Sequence, residues 1–322
     1  MKLQNFAENQ WIAGVDDGKP LASAVDGHTV ATISSAGIDF GGMLDYARRT
    51  GGSQLRQYTF HDRAFMLKDL AKYLMERKQA LYQLSTETGA TKSDSWVDID
   101  GGISTLFVYS SKGRREMPND KVYLDGPPEV LSREGTFVGQ HILTPKHGAA
   151  VHINAYNFPC WGMLEKLAPC LLAGVPAIIK PASSTAYLTE LMVRQIIESG
   201  ILPEGSVQLI CGGVGDLFDH LTCQDMVAFT GSKNTAEMLQ QHSRVISESV
   251  HFTAETDSLN ASILGPDAVP GTPEFDLFIK EVVQEMTSKA GQKCTAIRRI
   301  IAPSSLSADV VRTLSSALGN IR

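Results

Sequence analysis

Three side chains of different chemistry stand just beyond stretches that read as strands or helices. Cys294 lies in Gly291-Gln292-Lys293-Cys294, past a helical stripe of Phe275, Phe278, Ile279, Val282, Val283 and Met286 that Gly291 closes. A thiolate is a strong nucleophile, and a neighbouring cation such as Lys293 can lower a thiol from its reference pKa of about 8.5. Cysteine is equally at home as a small packed hydrophobe. Glu255 follows a β-rich run near His251 to Ala254; it offers the thiol a carboxylate, or is a solvated strand end. Asn157, in Asn157-Phe158-Pro159, offers an amide, or caps the helix that starts near Trp161. Lys180-Pro181-Ala182-Ser183 and Thr230-Gly231-Ser232 follow two further strand-like runs, and Lys180 alone reads as a surface charge.

Other chemistry is less well supported. Cys160, Cys170, Cys211 and Cys223 lie in or beside apolar segments and read as packing residues. With five cysteines and no C-x-x-C pair, neither a disulfide framework nor a zinc site is indicated. The eight histidines show no ligand spacing, so no metal is expected. Gly212-Gly213-Val214-Gly215 does not match the G-x-G-x-x-G fingerprint and reads as a strand-to-helix turn.

The elements that must position these residues alternate. Ala149 to Ile153, Val175 to Ile179, Ser206 to Ile210, Met226 to Phe229 and Ala261 to Leu264 read as strands. Between them Leu164 to Leu172, Thr185 to Glu198 and segments near Leu217 and Met238 read as helices. Such alternation implies parallel strands joined by right-handed crossovers, hence a doubly wound α/β sheet whose ligands lie beyond the carboxyl ends of the strands. Asp62 to Thr88 carries apolar residues at helical spacing and reads as packing helices. Residues 1–60 read as an irregular entry with one helix around Leu44 to Arg49.

Composition narrows the class. The 322 residues are 43% hydrophobic and 20% charged, which rules out a disordered chain and provides for about two domains. A formal charge of -6 without a basic block argues against a nucleic-acid or anionic-membrane partner and for a small molecule. The N-terminus has no apolar targeting region and no stretch approaches the ~20 apolar residues of a membrane span, so the expected location is cytoplasmic.

Taken together and in this order, Asn157-Phe158-Pro159, Lys180-Pro181, Phe229-Thr230-Gly231-Ser232, Glu255 and Gly291-Gln292-Lys293-Cys294 resemble the aldehyde dehydrogenase superfamily over essentially the whole chain. Longer stretches narrow the resemblance: 94–102 (DSWVDIDGG), 151–169 (VHINAYNFPCWGMLEKLAP) and 290–300 (AGQKCTAIRRI). These are similar to the branch that forms the dehydrogenase half of bifunctional ring-opening enzymes of bacterial phenylacetate degradation. That branch handles coenzyme A thioesters and carries a C-terminal hydratase domain. The resemblance implies that Cys294 attacks the aldehyde carbon, that the Asn157 amide and the Cys294 N–H stabilise the oxyanion, and that Glu255 activates the hydrolytic water.

For the cofactor, the resemblance implies that Lys180 contacts the adenine-side ribose and that the helix opened by Thr230-Gly231-Ser232 faces the pyrophosphate. Where many NAD-preferring relatives carry a glutamate three residues after the lysine, this chain has Ser183. That removes a carboxylate that would repel a 2′-phosphate and implies NADP as the preferred cofactor, with NAD possible. The implied substrate is a CoA-linked semialdehyde, 3-oxo-5,6-dehydrosuberyl-CoA semialdehyde, and the implied assembly a homo-oligomer. The related semialdehyde dehydrogenase of the aerobic benzoyl-CoA pathway is the nearest alternative. A cysteine acyl-transfer enzyme or esterase without hydride transfer, and a non-catalytic scaffold, are alternatives of other classes.

The general-base segment departs from the usual Glu-Leu-Gly-Gly, reading Glu255-Thr256-Asp257-Ser258-Leu259-Asn260, and lies 39 residues before Cys294. Both features point to a specialised branch. The expected organisation is a helical segment plus Rossmann-like cofactor domain over 1–261, then the start of a catalytic domain over 262–322. The family fold needs more chain to complete that second domain, so a fragment of a longer protein is expected.

Overall fold

The computed structural model describes residues 1–321. Contacts divide the chain into two compact units, Met1–Glu255 and Thr256–Arg322. The first is built on a seven-stranded sheet of order β11-β10-β7-β8-β9-β1-β2. Its parallel part comprises β7 (Ala150–Ile153), β8 (Ala177–Lys180), β9 (Val207–Leu209), β10 (Met226–Thr230) and β11 (His251–Glu255). The chain runs outward from β7 through β8 to β9, then returns to lay β10 and β11 on the other side of β7. This is the doubly wound arrangement expected, with its switch point between β7 and β10.

The irregular entry expected for residues 1–60 is instead largely ordered. β1 (Gln4–Ala7) and β2 (Gln10–Ala13) form an antiparallel hairpin that extends the sheet beyond β9, with Phe6 opposite Leu209. Its turn residues Glu8 and Asn9 both have positive φ (48° and 63°), the twist that two-residue hairpins require. β3 (Lys19–Ala22) and β4 (Thr29–Ile33) form a second hairpin, and α1 (Phe40–Tyr46) leads through a wide turn into α2 (Gly52–Leu55). Strands of four or five mixed polar and apolar residues carry too little periodicity to stand out in the sequence.

Helices cover both faces of the sheet. α3 (Phe60–Ser85) and α4 (Lys92–Glu116) each start with a capping box, Thr59 with Asp62 and Thr91 with Asp94. α3 ends near Gly89, whose left-handed φ of 76° closes the following turn. Together with α5 (Trp161–Leu172) and α6 (Ala186–Glu198), these helices bury one core, in which Leu67, Leu70, Leu74, Leu81, Ile99 and Ile103 are fully enclosed. Each such side chain is worth about 1.5–3 kcal/mol of burial. On the other face α1, α7 (Lys233–Gln240) and α8 (Ser243–Ser247) enclose Val151, Ile153, Ile178, Val227 and Phe229. β5 (Tyr123–Val130) and β6 (Val138–Leu143) form a separate exposed hairpin.

In the second unit β12 (Asn260–Ile263) pairs in parallel with β13 (Ile297–Ile301). The run expected to continue the main sheet therefore belongs to a sheet of its own. α9 (Pro273–Thr287), capped by Thr272 and begun by Pro273, and α10 (Ser307–Gly319) pack Phe275, Phe278, Ile279, Val282, Val310 and Leu314 into a small core.

Candidate active site

The first unit gathers four of the motifs along one edge of its sheet. Glu255 ends β11 and Thr230 ends β10, and the two are register partners. Lys180 ends β8 opposite Ile153, and Asn157 follows β7 by four residues. Alternation along the strands sorts them by face. Glu255, Thr230, Asn154 and His152 share the face covered by α5, while Lys180 shares the opposite face with Ile153.

On the α5 face the edge is polar, running from buried Asn154 and His152 through half-buried Thr230 to Glu255, which is exposed. Asn154 is 4% exposed and His152 2%. Both amide atoms of Asn154, the Nδ1 of His152 and the hydroxyl of Thr230 are buried without a protein partner. Unpaired buried groups of this kind are rare in a finished core and common where a ligand or water is meant to bind. Burial pushes the His152 imidazole down to about 3, helped by the Lys166 ammonium, so it stays neutral. Lys166 on α5 is itself lowered by burial, against which the carboxylates of Glu165 and Glu255 pull it up. A buried lysine thus lies within the field of the proposed base.

The Asn157 loop is pinned through its main chain. Thr185 donates its hydroxyl to the Tyr156 carbonyl (3.2 Å), and Thr189 donates to that of Pro159 (3.2 Å). Asp98 accepts from the N–H groups of Cys160 (3.1 Å) and Trp161 (2.8 Å). α5 begins at Trp161 with Cys160 at its cap, so Asn157 is not its capping residue.

The predicted cofactor residues lie elsewhere on this edge. Lys180 is lowered by burial. Ser183 opens a short 3-10 turn and lines a cavity of about 350 Å³ with Asp16, Lys19, Gly212 and Gly213. The glycine pair read as a plain turn therefore walls the same cavity as Ser183. A Cβ on Gly212 would fall 2.4 Å from the Ser35 backbone nitrogen, so close approach explains this glycine. Ser232 caps α7, its Oγ accepting from the Thr235 N–H (3.3 Å), and Gly231 lies at the Phe229 ring, where a Cβ would come within 2.7 Å.

In the second unit Cys294 is exposed in the turn between α9 and β13. Its carbonyl accepts from Ser258 Oγ (2.6 Å) and Asn260 Nδ2 (2.6 Å). The residues on either side of it, Lys293 and Thr295, both donate to Glu285 of α9, at 2.6 and 2.9 Å. Burial raises the Glu285 carboxyl, but these two bonds outweigh it and leave its pKa lowered. The Lys293 charge that sequence reading set beside the thiol is therefore shared with a carboxylate.

Several of these residues carried no signal of their own. Asp98 lies within the motif 94–102 but more than sixty residues before the main-chain groups it holds. Glu285 is one of several charges on α9. Ser258 and Asn260 had a signal, since they stand in the segment that departs from Glu-Leu-Gly-Gly. Among the described residues, no cluster of His, Cys, Asp or Glu could hold a metal, and no helix is long and apolar enough to cross a membrane.

Comparison with known proteins defines the class. Residues 11–322 match the aldehyde dehydrogenase family, and the chain belongs to it. It is 45% identical to a 3,4-dehydroadipyl-CoA semialdehyde dehydrogenase of Aromatoleum evansii, over all of this chain and 62% of that protein. A 1-pyrroline-5-carboxylate dehydrogenase of Staphylococcus haemolyticus is 29% identical over 80% of this chain and 48% of its own length. The chain thus spans less than two thirds of these relatives. Among solved structures, 3,6-anhydro-L-galactose dehydrogenase in complex with NAP superposes with a TM-score of 0.84 at 20% identity, covering 100% of this chain and 65% of that one. Betaine aldehyde dehydrogenase of Staphylococcus aureus with NAD+ gives 0.84 at 21%, covering 99% and 62%. These structures share the fold.

Proposed function

We propose that the protein is an NADP-dependent dehydrogenase that oxidises a semialdehyde carried on coenzyme A to the carboxylate. The observation that carries this reading is the edge just described. Glu255, Thr230 and Lys180 end three strands of a doubly wound sheet and Asn157 follows a fourth, in a chain of the aldehyde dehydrogenase family. The 45% identity to an enzyme named for a CoA-linked semialdehyde supports the substrate class.

In this reading the Cys294 thiolate adds to the aldehyde carbon, forming a C–S bond and an oxyanion. The Asn157 amide and the Cys294 N–H donate to that oxygen. Hydride loss from the same carbon would leave a thioester on Cys294, and a bound nicotinamide cofactor, held by Lys180, Ser183 and the start of α7, would supply the hydride acceptor. Glu255 takes a proton from water, whose oxygen attacks the thioester carbon; the C–S bond breaks and the carboxylate leaves.

The residues present fit a dinucleotide. Ligands of doubly wound sheets sit beyond the carboxyl ends of the strands, and there this chain has Lys180, the cavity walled by Ser183, Gly212 and Gly213, and the start of α7. Ser183 leaves room for a 2′-phosphate and brings no negative charge. The first unit then serves as the cofactor domain and the second as the beginning of the catalytic domain. We also infer a cytoplasmic homo-oligomer. The β5–β6 hairpin leaves Leu124, Val130, Phe137, Val138 and Ile142 at least half exposed, and an isolated two-stranded hairpin is marginal without a partner.

Two substrates divide the reading. The ring-opened product of phenylacetyl-CoA catabolism is favoured by Trp96, the run 151–169 and residues 115–120, and the name of the Aromatoleum relative favours a dehydroadipyl chain as the second. The test is kcat/KM on both CoA semialdehydes with each cofactor, using protein expressed from its complete reading frame. A preference for NADP of about tenfold or more is expected, and Ser183→Glu should reverse it. A tenfold bias of the unaltered enzyme towards NAD would overturn the cofactor assignment.

A further inference from the structure

The motif 94–102 has no part in the chemistry above, yet four of its residues meet the start of α5 or the helix behind it. Asp98 is 1% exposed, and its carboxylate accepts from two consecutive main-chain N–H groups, Cys160 and Trp161. Gly102, one helical turn later on the same face, lies against the same peptide; a Cβ there would sit 2.8 Å from Trp161 Cα and 3.0 Å from its nitrogen. At Gly101 a Cβ would collide with the Trp161 ring at 2.3 Å. Asp100 pairs with Lys78 and Tyr82 of α3, which fixes α4 from behind.

A carboxylate at the first N–H groups of a helix satisfies donors that the helix cannot and matches its positive end. Here those donors lie three and four residues after Asn157, in a loop whose main chain Thr185 and Thr189 also hold. We infer that Asp98 is a positioning residue for Asn157: through the Cys160 and Trp161 N–H groups it fixes where the Asn157 amide stands, and so how well that amide meets the oxyanion. This inference rests on the oxyanion role proposed for Asn157. It also gives the glycine pair a purpose, because only residues without a Cβ let α4 come close enough for the carboxylate to reach.

The test is a double-mutant cycle on the protein from its complete reading frame, with Asp98→Asn, Asn157→Ala and the pair. Asparagine keeps the shape of Asp98 but replaces one accepting oxygen by a donor. Asp98→Asn should lower kcat by about 10- to 100-fold, since misplacing a reacting group by an ångström costs that order, while cofactor Kd and aldehyde KM stay within about twofold. The discriminating readout is coupling: in the Asn157→Ala background Asp98→Asn should cost no more than about twofold further. If the two losses multiply, or Asp98→Asn leaves kcat unchanged, Asp98 does not act through Asn157 and the inference fails. If Asn157→Ala itself retains full kcat, the oxyanion reading falls and takes this inference with it. Should Asp98→Asn fail to bind cofactor, Asp98→Ser repeats the cycle with the same criteria.

Discussion

Asn157 sits on a loop held from beneath by side chains withdrawn from water, whereas Cys294 sits on a turn held at the surface by side chains that remain partly wet. Asp98 and Thr189, which grip the first, are 1% and 0% exposed. Glu285 and Lys293, which brace the second, keep about a quarter of their side chains in solvent. A hydrogen bond in the dry setting is stiff and costly to break, because its partner is left unsatisfied; in the wet setting water takes the place of what is lost. The difference teaches that the loop carrying the proposed oxyanion donor is tied to the core of its unit, while the turn carrying the proposed nucleophile is set by a few local polar contacts. Changes beneath the first should cost stability and activity together, and changes around the second should cost activity nearly alone.

The far end of α5 gives the sharpest way to break this contrast. Arg63, 1% exposed, donates from Nε to the Leu172 carbonyl (2.8 Å) and from Nη1 to those of Leu55 (3.2 Å) and Tyr58 (2.5 Å). Burial lowers its pKa to about 10, so it remains charged at neutral pH. α5 is thus clamped by an anion at its start and a cation at its end, the arrangement its dipole favours. Arg63→Met should cost about 3–5 kcal/mol in urea unfolding, because three carbonyls lose their donor. A loss under about 1 kcal/mol would show that α5 is not anchored as described.

His152 supplies an intermediate effect. Its folded pKa near 3 lies below the ordinary 6.5. Between those values the unfolded chain takes up a proton that the folded chain refuses. Stability should therefore fall as pH drops from 6.5 towards 3, by up to about 1.4 kcal/mol per pH unit from this one group. His152→Gln should flatten the acid limb of the stability profile by that slope, and an unchanged limb would mean that the imidazole is not held neutral. The smallest effect on stability belongs to the turn. Asn260→Ala removes bonds to the carbonyls of Cys294 and Ala296 and should cost about 1 kcal/mol while lowering kcat roughly tenfold. Equal losses of stability at Asp98 and Asn260 would erase the distinction between the two regions.

The sequence made one side of this contrast readable and hid the other. β7, β8, β10 and α9 stood out because buried parallel strands are apolar runs and α9 carries an unbroken i, i+3, i+4 stripe. The residues after those elements were then legible as a candidate site, from Asn157 through Cys294. The hairpins β1–β2 and β5–β6 were not legible: the first has four-residue strands, and the second carries Gly126-Pro127-Pro128 inside a strand that faces solvent. Nor were the supports. Asp98 and Arg63 act 63 and 109 residues away from the main-chain atoms they hold, and no local pattern announces such a bond. Glu285 was equally hidden, since its partners lie across the end of its own helix.

The most direct test of the central claim is to trap the thioester. Glu255→Gln protein from the complete reading frame is mixed with the CoA-linked semialdehyde and NADP, quenched and digested, and the peptide bearing Cys294 is weighed. The account predicts a burst of NADPH close to one equivalent per site and an acyl adduct on Cys294, with slow turnover afterwards. Full steady-state turnover in that variant, or an adduct on any other cysteine with Cys294 unmodified, would contradict it.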